Sequence, residues 1–131
     1  MKLKDFQITK NDTCLTYAVK RIGLDFDFCN YHTLREEFDF ENYYDFSLSV
    51  GDILFWDQKM EWDWMPTEII SGKIISHRVP VKFHFAVYEG NGIISDCTRL
   101  DYNPHPSLRF RNINNIEEQP NWILRIKKNK I

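Results

Sequence analysis

The stretch Phe83-His84-Phe85-Ala86-Val87-Tyr88-Glu89-Gly90-Asn91-Gly92-Ile93-Ile94-Ser95-Asp96-Cys97-Thr98 limits the fold of this chain more than any other. Two alternating segments flank Gly-Asn-Gly, residue types that accept the positive φ of a tight hairpin turn, so a β-hairpin is predicted. Folding it brings Asp96 beside His84, either opposite or one diagonal step away, according to the register of the loop. Further strands are expected at Ile53 to Asp57, Leu108 to Ile113 and Trp122 to Lys127, giving about five. Pro104, Pro106 and Pro120 fall in the connections, where a missing backbone N–H costs no ladder bond.

Near the N-terminus, Leu15, Ala18, Val19 and Ile22 recur at helical spacing and form one apolar stripe. Asp12 is the expected cap of this helix and Gly23 its expected stop. Cys14 then lies in the first turn, where unpaired N–H groups and the positive end of the helix dipole favour a thiolate. A thiolate there, a strand histidine and a carboxylate beside the histidine are the elements of nucleophilic catalysis with an oriented base. Each also has a plain structural explanation: a buried cysteine, a satisfied strand histidine, an acid closing a hairpin.

Three blocks in order resemble the NlpC/P60 branch of the papain-like cysteine peptidases. They are the helix-opening Asp12-Thr13-Cys14, then Ser49-Val50-Gly51-Asp52-Ile53-Leu54-Phe55-Trp56, then His84-Phe85-Ala86-Val87-Tyr88-Glu89-Gly90-Asn91-Gly92. The resemblance implies an α+β fold, with an N-terminal catalytic helix packed on an antiparallel sheet of about five strands. It further implies Cys14 as nucleophile, His84 as base and Asp96 at the third polar position, with an amide, peptide or isopeptide bond, such as one in a cell-wall stem peptide, as substrate. Thr13 and Leu15-Thr16 around Cys14 depart from the family's usual Asp before the cysteine and Ser-Gly after it. The backbone N–H of Cys14, with Gln7 or Asn11 upstream, is the expected oxyanion donor set.

The 131 residues, 43% hydrophobic and 15% aromatic, suit one compact domain over residues 1–131 and are too few for two ordinary ones. An apolar run long enough to span a bilayer is missing, and the first residues lack the apolar segment of a secretory signal. Three cysteines at irregular spacing suit a reducing compartment, so a cytoplasmic location is expected. No metal or cofactor is expected: Cys29-Asn30-Tyr31-His32 has no second ligand pair at a finger-like distance, and Gly90-Asn91-Gly92 lacks the lysine and helix of a phosphate loop.

Thr33-Leu34-Arg35-Glu36 has the form of a capping box and predicts a second helix running to about Tyr44, with Leu34 and Phe38 inward. Residues 58–82 form an insertion between the second and third blocks. In it Trp62 and Trp64 stand among charges as contact residues or core fillers, and Ile69 to Ile75 suggest a small hairpin. Residues 25–68 carry twelve acids against Arg35 and Lys59, while the chain from Lys73 onward carries ten bases against five acids. The acidic part is either a solvated face or a surface for a basic protein partner; the dispersed bases argue against nucleic-acid binding. Two functions follow as expectations: a thiol hydrolase, or a catalytically idle papain-like domain that binds or inhibits another protein through its acidic face and aromatic insertion.

Overall fold

The computed structural model describes residues 2–24, 31–45, 47–57, 61–81, 84–98, 105–116 and 119–127; side chains at 31–33, 45, 61–69 and 74–81 lie outside this description. The chain is α+β. Helix α1 (Cys14–Arg21) precedes helix α2 (Tyr31–Glu37) and strands β1 (Phe38–Asn42), β2 (Ile53–Trp56), β3 (Glu61–Ile70), β4 (Lys73–Val81), β5 (His84–Gly90), β6 (Ile93–Thr98), β7 (Ser107–Asn112) and β8 (Trp122–Ile126). Six strands form one sheet in the order β1-β8-β2-β5-β6-β7, with every neighbouring pair antiparallel. Strands β3 and β4 pair with each other in a separate two-stranded sheet.

Both faces of the six-stranded sheet are apolar at its centre, as the unbroken burial of β2 requires. On one face Ile53, Phe55, Phe85, Val87, Cys97 and Leu124 pack under α1, and the Phe55 and Phe85 rings stack 4.5 Å apart. On the other, Leu54, Trp56, Ala86, Ile94 and Ile123 pack with Ile113 and Ile116 of the segment after β7. Alternation along each strand separates the two sets.

Helix α1 begins one residue later than its expected cap implies. Thr13 is the N-cap and forms a reciprocal box with Thr16, whose Oγ1 accepts from Thr13 N at 2.8 Å. Asp12 is instead buried just outside the helix, where it accepts from Thr9 N, Thr16 Oγ1 and Lys20 Nζ. Burial raises its carboxyl pKa, but the bonds from Lys20, Thr9 and Thr16 prevail and hold it below the ordinary value. At the other end Gly23 takes φ +83°, with its N–H on Lys20 O and that of Leu24 on Val19 O, a Schellman closure.

The second expected helix is cut short. It ends at Glu37, and Phe38-Asp39-Phe40-Glu41-Asn42 pairs with β8 as an edge strand. The period-two placement of Phe38 and Phe40, both packed into the α1-side core, wins over the helical capping signal. Leu34 and Phe38 are buried as expected. The small hairpin expected at residues 69–75 is the tip of a longer ribbon, β3–β4, turning at Ser71-Gly72. Among the described residues the main sheet therefore has six strands, one more than the expected count.

Candidate functional site

The hairpin β5–β6 turns through Asn91 and Gly92, at φ +54° and +77°, which sets Val87 opposite Ser95 and Tyr88 opposite Ile94. Asp96 lies two residues beyond Ile94 and His84 four residues before Tyr88, and the two side chains come together along one face, with Nε2 of the imidazole 2.7 Å from Oδ2 of the carboxylate. Asp96 is wholly buried and His84 nearly so, its ring tilted against Trp56 with centroids 5.3 Å apart.

Two arginines of β7 complete the cluster. Arg109 lies directly across from Asp96 and grips it twice, Nε to Oδ1 at 2.7 Å and Nη2 to Oδ2 at 2.9 Å. Arg111 adds a bond from Nη2 to Oδ2 at 2.8 Å. Burial pushes the Asp96 carboxyl up, but the hydrogen bonds from His84 and Arg109 and their charges outweigh it, and the group ends well below the usual carboxylate range. Asp96 is thus a fixed anion shared among three partners. Neither arginine was anticipated, although the alternation Ser107-Leu108-Arg109-Phe110-Arg111-Asn112 carries the signal that both share a face.

Cys14 occupies a different part of the molecule. It is the first residue of α1, half-buried, and it packs against the core cluster that contains Tyr17, Phe85 and Cys97. Helix α1 is held on that side by Tyr17, whose hydroxyl donates to Ser95 Oγ at 2.7 Å. Ser95 in turn donates to Glu89, which Arg21 clamps with two further bonds. Ser95 and Glu89 point to the α1 side, so Asp96 and His84, out of phase with them along β6 and β5, leave the sheet on the opposite side. Trp56, against which the His84 ring rests, belongs to that opposite core. Of the three expected catalytic residues, His84 and Asp96 meet, and Cys14 packs against the α1-side core.

The remaining expected residues are dispersed. Gln7 and Asn11 are exposed on the segment before α1. Trp62 and Trp64 fall in β3, paired at the backbone with Pro80 and Arg78, and their side chains lie outside the described residues, as does Cys29. The Gly51-Asp52 block is a strand-entry device: Gly51 takes φ +93°, and Asp52 accepts from Ser49 N and from Arg125 Nε and Nη2. Among the described residues no helix is long and apolar enough to cross a membrane. Compared with known proteins, the chain matches no family, no curated protein and no solved structure.

Proposed function

We propose that this chain is a papain-like domain of the NlpC/P60 kind that binds another protein rather than cleaving one, in a reducing, cytoplasmic setting. The observation that carries this reading is the orientation of His84 and Asp96 away from the face on which α1 holds Cys14. A base must reach the thiol whose proton it takes. Here the carboxylate that would orient it is also occupied by two guanidiniums, as in a structural ion cluster. The partner class is basic protein, recognised by the acidic part of the chain, in which Glu36 and Asp39 are exposed.

The test follows Cys14 and the acidic face together. Iodoacetamide labelling of Cys14, mapped by mass spectrometry, keeps the same rate and pH profile in His84→Gln, and Cys14→Ala binds a lysine-rich peptide as the parent does, in a salt-dependent way. Labelling of Cys14 that slows severalfold in His84→Gln overturns the reading.

Hydrolysis of an amide, peptide or isopeptide bond is the second reading. It is favoured by Cys14 standing at the first position of α1 and by the 2.7 Å contact that orients the imidazole. It requires that Cys14→Ala abolish turnover of an amide substrate while the fold persists.

A further inference from the structure

Residues 2–9 form a strap without regular secondary structure, and it runs back along α1 from the last turn of the helix toward the first. Leu3, Phe6 and Ile8 are half-buried against the α1-side core, while Lys2, Lys4, Asp5, Gln7 and Thr9 are exposed, so one side of the strap is seated and the other is wet. The Phe6 ring lies 5.6 Å from that of Tyr17, and Lys20 Nζ stands 5.6 Å from the Phe6 centroid. At Lys4 the main chain is clasped from both sides: Lys4 N donates to Arg21 O at 2.7 Å, and Arg21 Nη1 donates to Lys4 O at 3.0 Å. Spaced apolar anchors with a backbone clasp are the arrangement of a peptide ligand in a groove.

Helix α1 keeps its place by other means. Its start is closed by the Thr13–Thr16 box and its end at Gly23, and it is tied to the sheet by Tyr17 on Ser95 and by Nε and Nη2 of Arg21 on Glu89. The strap takes only Nη1 of Arg21, shared between Lys4 O and Asp5 Oδ1, and the Asp5 carboxylate is fully exposed, so that ion pair adds little. The turn that roots the strap is fixed separately, with Thr9 N on Asp12 Oδ2 and with Thr16 and Lys20 on Asp12 Oδ1. Among the described residues, the hydrogen bonds from residues 2–8 to the rest of the chain are those of Lys4 and Asp5. Three half-buried apolar side chains therefore secure the strap, and they can lift without vacating an anchor of α1.

We propose that residues 2–9 are an exchangeable occupant of a peptide-binding groove on α1, which takes in their place an extended segment of a partner protein. The segment it fits carries an aliphatic residue, an aromatic residue three positions on and a second aliphatic residue two beyond that, the spacing of Leu3, Phe6 and Ile8. The aromatic residue sits beside the Tyr17 ring and the Lys20 ammonium, and Arg21 grips the partner's main chain through its own carbonyl oxygen and Nη1. The present occupant shows what the groove accepts, and that is a protein segment. Tethering gives the strap an effective concentration on the order of millimolar, so it acts as a self-inhibitor and yields only to a segment that binds better or arrives at high local concentration. The groove lies outside the acidic part of the chain and does not involve His84, so it stands or falls apart from the function proposed above.

Peptide binding to the full chain tests it. The probe is a fluorescein-labelled peptide carrying residues 2–9, and the acceptor is the full-length double variant Leu3→Ser/Phe6→Ser, whose strap has lost two of its three anchors. By fluorescence anisotropy the double variant, with native far-UV circular dichroism, binds the probe saturably and at least tenfold more tightly than the wild type does, and a probe carrying Phe6→Ser binds neither protein. A double variant that unfolds would make the strap part of the core and overturn the proposal. So would a folded double variant that ignores the probe, or equal binding by the two proteins. A wild-type dimer in sedimentation velocity that the double variant abolishes would also overturn it, by seating the strap of a second copy in the groove.

Discussion

Tyr17 and Ser95, 78 residues apart in the chain, are joined by a 2.7 Å hydrogen bond that docks α1 on β6. The bond adds a directional tie to the face of the sheet that α1 covers with Tyr17, Ala18 and Ile22, the same core against which Cys14 packs. Through Ser95 it continues to Glu89 and Arg21, so the helix is tied at its middle and its last turn to the hairpin that carries His84.

Tyr17→Phe removes one buried neutral hydrogen bond while Ser95 keeps Glu89 as an acceptor, and the expected loss is about 1 kcal/mol in urea unfolding. Burial pushes the Tyr17 phenol up to about 12, and the nearby Glu89 and Asp96 charges add to it. A raised acid favours its neutral form in the folded state, so its contribution is whole below the ordinary pKa of 10.0 and disappears as pH rises toward 12. The 295 nm titration difference between wild type and Tyr17→Phe should therefore rise late, near pH 12; a rise at pH 10 would contradict the buried bond.

Acid stability turns on Asp96. Its carboxyl is depressed in the folded state, so the stabilisation is present above the unfolded value of about 4 and is lost as pH falls below it. Wild type should weaken steeply below about pH 4, and Asp96→Asn, already missing the anion that His84, Arg109 and Arg111 surround, should lose about 3–5 kcal/mol at neutral pH. The variant should also show a flatter acid limb. Equal acid slopes in the two proteins would mean that Asp96 is not the responsible group.

Local patterns made much of this legible. The Gly90-Asn91-Gly92 turn, the strands it joins and the stop of α1 at Gly23 depend on residues adjacent in sequence. That His84 and Asp96 meet follows from the same hairpin. The side of the sheet on which α1 docks does not, because it depends on contacts between residues far apart in sequence, Tyr17 with Ser95 among them, and no local period encodes those contacts. Strand β1 was hidden for a related reason: five residues directly after a helix read as its continuation until β8, from the far end of the chain, supplies the partner.

Gly23→Ala tests the closure of α1. A Cβ at Gly23 would meet nothing within 4 Å, so the cost is purely that of holding an L-residue at φ +83°. The expected loss is about 1 kcal/mol by thermal or urea denaturation, with the spectrum unchanged. A neutral result would show that the helix end relaxes away from the Schellman geometry.

The two arginines around Asp96 should differ in weight. Arg109 makes a bidentate contact from directly across the strand pair, whereas Arg111 offers only Nη2, and its buried Nε has no partner among the described residues. Removing Arg109 strips both Asp96 oxygens of a charged donor, so Arg109→Met should cost about 2–3 kcal/mol. Arg111→Met loses one charged bond but also removes the unmet Nε–H, and the apolar stem is retained, so its cost should be about 1 kcal/mol or less. Urea unfolding of the two variants at neutral pH checks the order. Should Arg111→Met prove the more damaging, the charge of Asp96 is balanced mainly from the position next to Ile94, and the bidentate contact is secondary.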